Sequence, residues 1–113
     1  MPWKVKYMIS KLIKNALDEL SIKNYFITRA NEKEECIVYN YTSKPFRYAD
    51  NDEKAIKYEV MINIYCKNNI ENYKREVIKV MEKYGFIRKS VASTYVGEAG
   101  FFCSAINFTI VLN

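Results

Sequence analysis

The acidic stretch from residue 50 to residue 53 holds the side chains with the clearest potential for chemistry. Four oxygen-bearing side chains follow one another without a gap: Asp50, Asn51, Asp52 and Glu53. Such oxygens are the ligands that Ca²⁺ and Mg²⁺ prefer. A calcium loop of the EF-hand kind, however, places its ligands at alternate positions with a glycine at the sixth, whereas Lys54 and Ala55 follow here at once. We therefore predict no dedicated metal site.

The same carboxylates are candidates for a general acid and a general base. That role needs a pocket which separates their pKa values, but Arg47 and Lys54 flank the stretch, as in an exposed connection. The chain has no His, which is the commonest proton carrier near neutral pH, and it has no G-x-S-x-G, H-E-x-x-H or phosphate-binding glycine loop. We predict that the protein is not an enzyme, has no catalytic residues and needs no cofactor.

The three cysteines indicate a reducing environment. Cys36, Cys66 and Cys103 are odd in number, widely spaced and without a C-x-x-C motif, and no His is present to complete a zinc set. The opening residues lack the apolar run of a signal peptide, and the longest uncharged stretch, residues 99–113, is shorter than the roughly 20 residues that span a bilayer. These features favour a cytoplasmic protein without a membrane anchor.

The length and composition favour one folded unit. The chain has 113 residues, of which 50% are hydrophobic, so one sizeable core is within reach. We therefore expect a single domain over residues 1–113. A net charge of +5 permits an acidic partner or a nucleic acid without requiring either.

Periodicity predicts the elements of the first half. Apolar residues recur at steps of three and four over residues 3–20, which indicates an amphipathic helix. Tyr25–Thr28 and Cys36–Tyr41 are predicted as strands, and the polar turn at residues 30–35 favours a hairpin between them. Tyr58–Ile64 alternates in the manner of a half-buried strand.

A second helix and two more strands are predicted in the second half. Asn68 and Glu71 have the spacing of a capping box, and the helical face that follows ends at Gly85. Phe86–Tyr95 and Phe101–Leu112 then form two strands around VGEAG. The fold class is therefore α+β, with one largely antiparallel sheet, both helices on one face and the order α-β-β-β-α-β-β. The core-facing residues of the last strand are Phe102, Ile106, Phe108, Ile110 and Leu112.

Two surfaces are candidates for binding. The strand faces opposite the helices should carry an aromatic and apolar surplus, which we expect neighbouring subunits to cover: Tyr39, Tyr41, Met61, Tyr65, Tyr95 and Phe101. The second helix carries a candidate basic face, made of Lys74, Arg75, Lys79 and Lys83. Such a face is more often solvated than bound to nucleic acid.

Several segments together resemble a family of phage proteins. These are ECIVYNYTSKPFRYADN, KYEVMINIYCKN, the charged helix, KYGF and GEAGFFCSAINFTI. From Leu12 to Ile110 the sequence resembles the small tail terminator, or tail completion, proteins of phages and prophages of Gram-positive bacteria. The most recognisable pieces are IVY at Ile37–Tyr39, YADN at Tyr48–Asn51 and YEVMINIYCK at Tyr58–Lys67.

The resemblance implies a structural role. Proteins of this family form a ring, usually a hexamer, on the head-proximal end of the tail tube, where they stop tube growth and provide the surface to which the head or collar docks. The implied partners are other copies of the chain, the tail tube protein and a head-completion or collar protein, with DNA only passing through the ring. The implied location is the bacterial cytoplasm during assembly and then the tail of the virion or of a bacteriocin-like particle.

The resemblance also makes the YADN loop a candidate contact with a neighbouring subunit or the tube. A turn-forming role for Asp50 and Asn51 is equally compatible with it.

Two alternatives to the terminator stay open: a small nucleic-acid-binding domain that uses the basic second helix, and a neighbouring head-tail connector protein. The full set of candidate contacts is Arg47, Tyr48, Asp50, Asn51, Asp52, Tyr39, Tyr41, Met61 and Tyr65.

Overall fold

A computed structural model describes residues 2–28, 34–46, 55–91, 95–96 and 100–112. The elements in these ranges follow the order α-β-β-β-α-β-β-β. They are α1 (Pro2–Leu17), β1 (Lys23–Phe26), β2 (Cys36–Phe46), β3 (Ala55–Cys66), α2 (Ile70–Lys83), β4 (Ile87–Val91), β5 (Tyr95–Val96) and β6 (Phe102–Leu112).

The strands form one mixed sheet in the order β1-β2-β3-β6-β4, with the short β5 also paired to β6. The three long strands are antiparallel neighbours, and β3 lies between β2 and β6. The α+β class and the mostly antiparallel sheet agree with the prediction. The strand predicted at Phe86–Tyr95 corresponds to β4 and β5, and a register shift between Arg88 and Ser90 interrupts its pairing with β6.

The predicted hairpin between the first two strands is wrong, because β1 pairs with β2 in parallel. The chain leaves β1 through a tight turn at Ile27, whose φ of 73° is rare for a β-branched residue. The Thr28 N–H donates to the Phe26 carbonyl (2.9 Å), and the Ile27 N–H donates to the Tyr39 carbonyl (2.9 Å). A polar connection is compatible with either strand direction, so its composition did not determine the pairing.

Helix α1 is shorter than the predicted 3–20. It ends at Leu17, after which the chain tightens into turns: the Glu19 N–H donates to the Ala16 carbonyl (3.2 Å) and the Leu20 N–H to the Leu17 carbonyl (3.0 Å). Such three-residue steps are common where a helix stops.

Helix α2 begins differently from the prediction and ends as predicted. Its N-cap is Asn69, at φ 61°, and no side chain caps it, so the capping box of Asn68 and Glu71 is wrong. At the other end, Gly85 adopts φ 94°, its N–H donates to the Glu82 carbonyl, and the Phe86 N–H donates to the Met81 carbonyl. This is a Schellman termination, in which glycine supplies the left-handed conformation at low cost.

The hydrophobic core lies between the helices and one face of the sheet. Alternate residues of β3 reach it, as predicted, and so does the predicted face of β6. Ile62 lies opposite Ile106 in the β3–β6 register, at the centre of this layer. The helices contribute Ile9, Ile13, Ala16 and Leu17 from α1 and Val77, Val80 and Met81 from α2.

Candidate interaction surfaces

The YADN loop cannot be placed from the described residues. The predicted contacts Arg47, Tyr48, Asp50, Asn51 and Asp52 all fall in the segment 47–54, outside those residues. What is described is where that segment is attached: Phe46 pairs with Ala55, so it joins the paired ends of β2 and β3. The role of these five residues stays a prediction.

Two of the predicted contact tyrosines do not lie on the face opposite the helices. Tyr39 and Tyr41 pair with Ile62 and Val60, which face the core, so both rings are on the helix side. The Tyr39 ring lies 5.5 Å from that of Phe26, and the Tyr41 hydroxyl hydrogen-bonds the Ser10 hydroxyl at 2.8 Å.

The prediction for these tyrosines failed because β2 is buried on both faces where it starts. Cys36 and Val38 are as well buried on one side as Ile37 and Tyr39 are on the other. Alternation along the sequence therefore could not identify the face that meets the helices.

The other two predicted strand contacts, Met61 and Tyr65, do lie on the face opposite the helices, which we call the open face. Met61 is 40% exposed, and Tyr65 is half-buried. Phe101, which was also expected there as an uncovered aromatic, is buried, and the Lys67 ammonium lies 5.4 Å from its ring centre. The side chain of Tyr95 is outside the described residues.

The middle of the open face is a shallow groove lined by both polar and apolar residues. The sequence predicts an aromatic and apolar surface there and does not predict the polar residues. Asn40 and Asn107 flank Met61 in register, and the Asn107 Nδ2 donates to the Ser90 Oγ at 2.9 Å. Neutral hydrogen-bonding residues, one carboxylate, one ammonium and three apolar residues line the groove: Asn40, Thr42, Glu59, Val60, Met61, Lys89, Ser90, Asn107, Phe108 and Thr109. Such a mixed surface offers both hydrogen bonds and apolar contacts to another polypeptide.

The candidate basic face of α2 is less uniform than the sequence indicates. Arg75, Lys79 and Lys83 follow one another at steps of four and are exposed. Lys74 lies on a different side, where its ammonium is 3.1 Å from a carboxylate oxygen of Glu71. Lys83 is paired with Glu19 at 2.9 Å. Two of the four charges are therefore partly neutralised within the chain.

Two glutamates that the sequence did not single out connect separate elements. Glu19, just after α1, accepts hydrogen bonds from the Tyr84 hydroxyl and the Lys83 ammonium at the end of α2. The Tyr84 hydrogen bond, more than the Lys83 one, lowers the pKa of Glu19 below its usual value. Glu35, before β2, accepts a hydrogen bond from the Lys67 backbone N–H at 2.7 Å. Both glutamates bind residues that are distant in sequence, so the spacing of residues along the chain could not predict these hydrogen bonds.

The cysteines and acids of the described residues form no evident reactive centre. Cys36, Cys66 and Cys103 are all reduced and buried. Burial raises the pKa of the Cys66 thiol to about 11, so the thiolate that would act as a nucleophile is scarce at neutral pH. In the part of the chain that the structure describes, no three His, Cys, Asp or Glu side chains are grouped closely enough to hold a metal ion.

Neither a protein-family model nor a curated protein matches the sequence. Among the described residues, no helix is both long enough and apolar enough to cross a membrane.

Proposed function

We propose that this protein is the tail terminator of a phage or of a phage-tail-like particle. In this role it forms a ring, a hexamer when assembled, on the head-proximal end of the tail tube. The ring stops tube growth and provides the docking surface for the head or collar. It acts by shape and charge complementarity and catalyses no reaction.

The observation that supports this proposal most strongly is the sequence resemblance described above, together with where its segments fall. Ile37–Tyr39 lies in β2, and Tyr58–Lys67 covers most of β3 and the residue after it. These strands are adjacent in the sheet and antiparallel. These two segments therefore belong to the framework of the fold, where hydrophobic pattern and register are most constrained.

The shape of the molecule is compatible with contacts to neighbours on a tube. Its extents are 51 × 23 × 22 Å, and the β2–β3 pairing continues without interruption from Cys36 and Tyr65 to Phe46 and Ala55. Near the end of this hairpin, the β2 residues 42–45 are exposed. The exposed β2 residues near the end of the hairpin and the groove in the middle of the open face are two candidate contact surfaces. Unlike surfaces that meet head to tail generate a ring when the rotation closes.

A ring of this kind does not need to be stable before it reaches the tube. Association of free subunits costs translational and rotational freedom, and an interface of ordinary size can be too weak to offset that cost alone. On a tube end, the tube protein holds the subunits side by side. Assembly in the host cytoplasm would then be restricted to completed tubes.

Deletion of the gene tests this proposal. Particles made without the protein are expected to have tubes of irregular or excessive length, whether or not heads are attached, while the tube protein still polymerises. Electron microscopy of the particles gives the length distribution and the fraction that carry heads. If the deletion leaves uniform, head-bearing tails, the terminator proposal is wrong. Tubes of normal length without heads would instead support the connector alternative.

A pair of matched substitutions links the deletion result to the open face. The wild-type gene supplied in trans should restore uniform tails, whereas Met61→Lys should not, because it places a charge in the middle of the face that is proposed to meet a neighbour. Met8→Lys is the control, since Met8 is also exposed but lies on α1. Equal rescue by both variants would show that the open face is not the contact.

A further inference from the structure

Strand β4 is an open edge of the sheet. It is the last strand in the order β1-β2-β3-β6-β4, so among the described strands only β6 pairs with it. All five of its residues are exposed, and Ile87 is 64% and Val91 38% accessible. An edge of this kind presents backbone N–H and C=O groups that another strand can pair with.

The surroundings of this edge are basic. A groove between β4 and α2 is lined by Glu71, Lys74, Arg75, Ile78, Arg88 and Val91. Within the described part of the chain, neither Arg88 nor the adjacent Lys89 makes an ion pair, and Glu71 is the one carboxylate that lines the groove. Ile78 and Val91 add an apolar component to the same groove.

We propose that β4 binds an acidic, extended polypeptide segment, which adds to the sheet as a further strand beside it. Backbone hydrogen bonds to β4 would supply the part of the affinity that does not depend on the side chains of the segment. The cations Arg75, Arg88 and Lys89 would attract carboxylates on the incoming segment. Apolar side chains alternate with the carboxylates along an extended segment, so they would lie on its other face, beside Ile87.

The charges and the bulge limit what this edge accepts. Natural sheets protect their edges with basic side chains and bulges, and β4 has both, since Lys89 lies at the register shift between Arg88 and Ser90. A second copy of β4, or any basic strand, would be repelled. The same basic side chains attract an acidic strand. The edge therefore discriminates between partners by their charge.

The apolar residues favour a polypeptide over a nucleic acid. Ile87 and Val91 are on the strand itself, and a phosphate backbone would leave both without a partner. A nucleic-acid footprint is expected to use the exposed residues Arg75, Lys79 and Lys83 along α2, none of which lies on β4.

Binding of labelled peptides to the isolated chain tests the proposal. Fluorescence anisotropy would be measured with four ten-residue peptides, in which Val alternates with Glu, Gln or Lys, or Pro alternates with Glu. The Val–Glu peptide is expected to bind about tenfold more tightly than the Val–Gln peptide, and less tightly as salt rises. The Lys peptide should not bind, because it is repelled. The Pro peptide should bind much more weakly than the Val–Glu peptide, because every second residue lacks a backbone N–H and has a fixed φ that disfavours a β-strand.

Substitutions then locate the site. Arg88→Glu and Lys89→Glu should each weaken binding of the Val–Glu peptide by about tenfold without changing the melting temperature. Lys11→Glu makes the same charge change as Lys89→Glu at an exposed position of α1 and should leave binding unchanged.

Any of four results would overturn this inference: no binding of the Val–Glu peptide, equal binding of the Gln or Pro peptide, an equal effect of Lys11→Glu, or tighter binding of duplex DNA. These measurements use the chain alone and do not depend on the terminator proposal. A failure here would leave the particle experiment unaffected.

Discussion

Ile106→Asp is expected to leave almost no folded protein. Ile106 is fully buried and lies opposite Ile62 on β3 and Val91 on β4. A carboxylate there would lose its hydration without gaining a partner, which costs more than about 4 kcal/mol. That is comparable with the whole free energy of unfolding of a small domain, about 5–15 kcal/mol. Solubility on expression and far-UV circular dichroism of the soluble fraction would measure the effect.

The matched control for this substitution is Val111→Asp on the same strand. Val111 is 39% exposed on the open face and lies opposite Lys57, which is a favourable neighbour for a carboxylate. The control should change the free energy of unfolding by less than about 1 kcal/mol. Similar melting of Ile106→Asp and the wild type would mean that the β6 register is wrong.

Phe108→Ala should be the most destabilising of the simple truncations in β6. Its ring is fully buried beside Val60, and removing it leaves a cavity that the two flanking strands cannot close. We expect the free energy of unfolding to fall by about 3–5 kcal/mol. Denaturant titration at equilibrium, with the slope compared between variants, would measure this loss.

Phe26→Ala makes the same chemical change at a half-exposed ring of β1. That ring contacts Tyr39 and Tyr41 from one side only, so the expected cost is about 1 kcal/mol. If Phe26→Ala costs as much as Phe108→Ala, the core does not lie between the helices and the β2–β3–β6 face.

The sequence best predicts the helices and strands that have one solvent-exposed face and one buried face. In β3, Tyr58, Val60, Ile62 and Ile64 are buried while Glu59 and Met61 are exposed, so the alternation is clear and the prediction is right. The helical face of α2 and its stop at Gly85 are equally clear, since a glycine with positive φ is the usual end of a helix.

The sequence predicts less well those features of the fold that depend on contacts between residues distant in sequence. The direction of β1 depends on the turn at Ile27 and on a hydrogen bond to Tyr39, neither of which has a local sequence signature. The faces of Tyr39 and Tyr41 follow from the register with β3, because the start of β2 is buried on both sides. The start of α2 also differs from the prediction: the N-cap is Asn69, with a positive φ, and no side-chain hydrogen bond caps it.

The candidate surfaces were also predicted only in part. Met61 is on the open face as expected, but its polar surroundings come from residues of β2, β4 and β6 that only the fold brings together. The basic edge at β4 combines Arg88 with Lys74 and Arg75 of α2 in the same way. The sequence indicated a basic face on the second helix, and the sheet order determined where positive charge meets an open strand.

The most direct test of the terminator proposal is electron cryomicroscopy of tube ends. Tubes assembled from the tail tube protein of the same phage or prophage would be incubated with this purified protein, and the two ends of each tube would be classified separately. The proposal predicts a ring of copies of this chain on one end only, with no further growth of that end when fresh tube protein is added. Bare ends that continue to grow, or protein scattered along the tube wall, would contradict it.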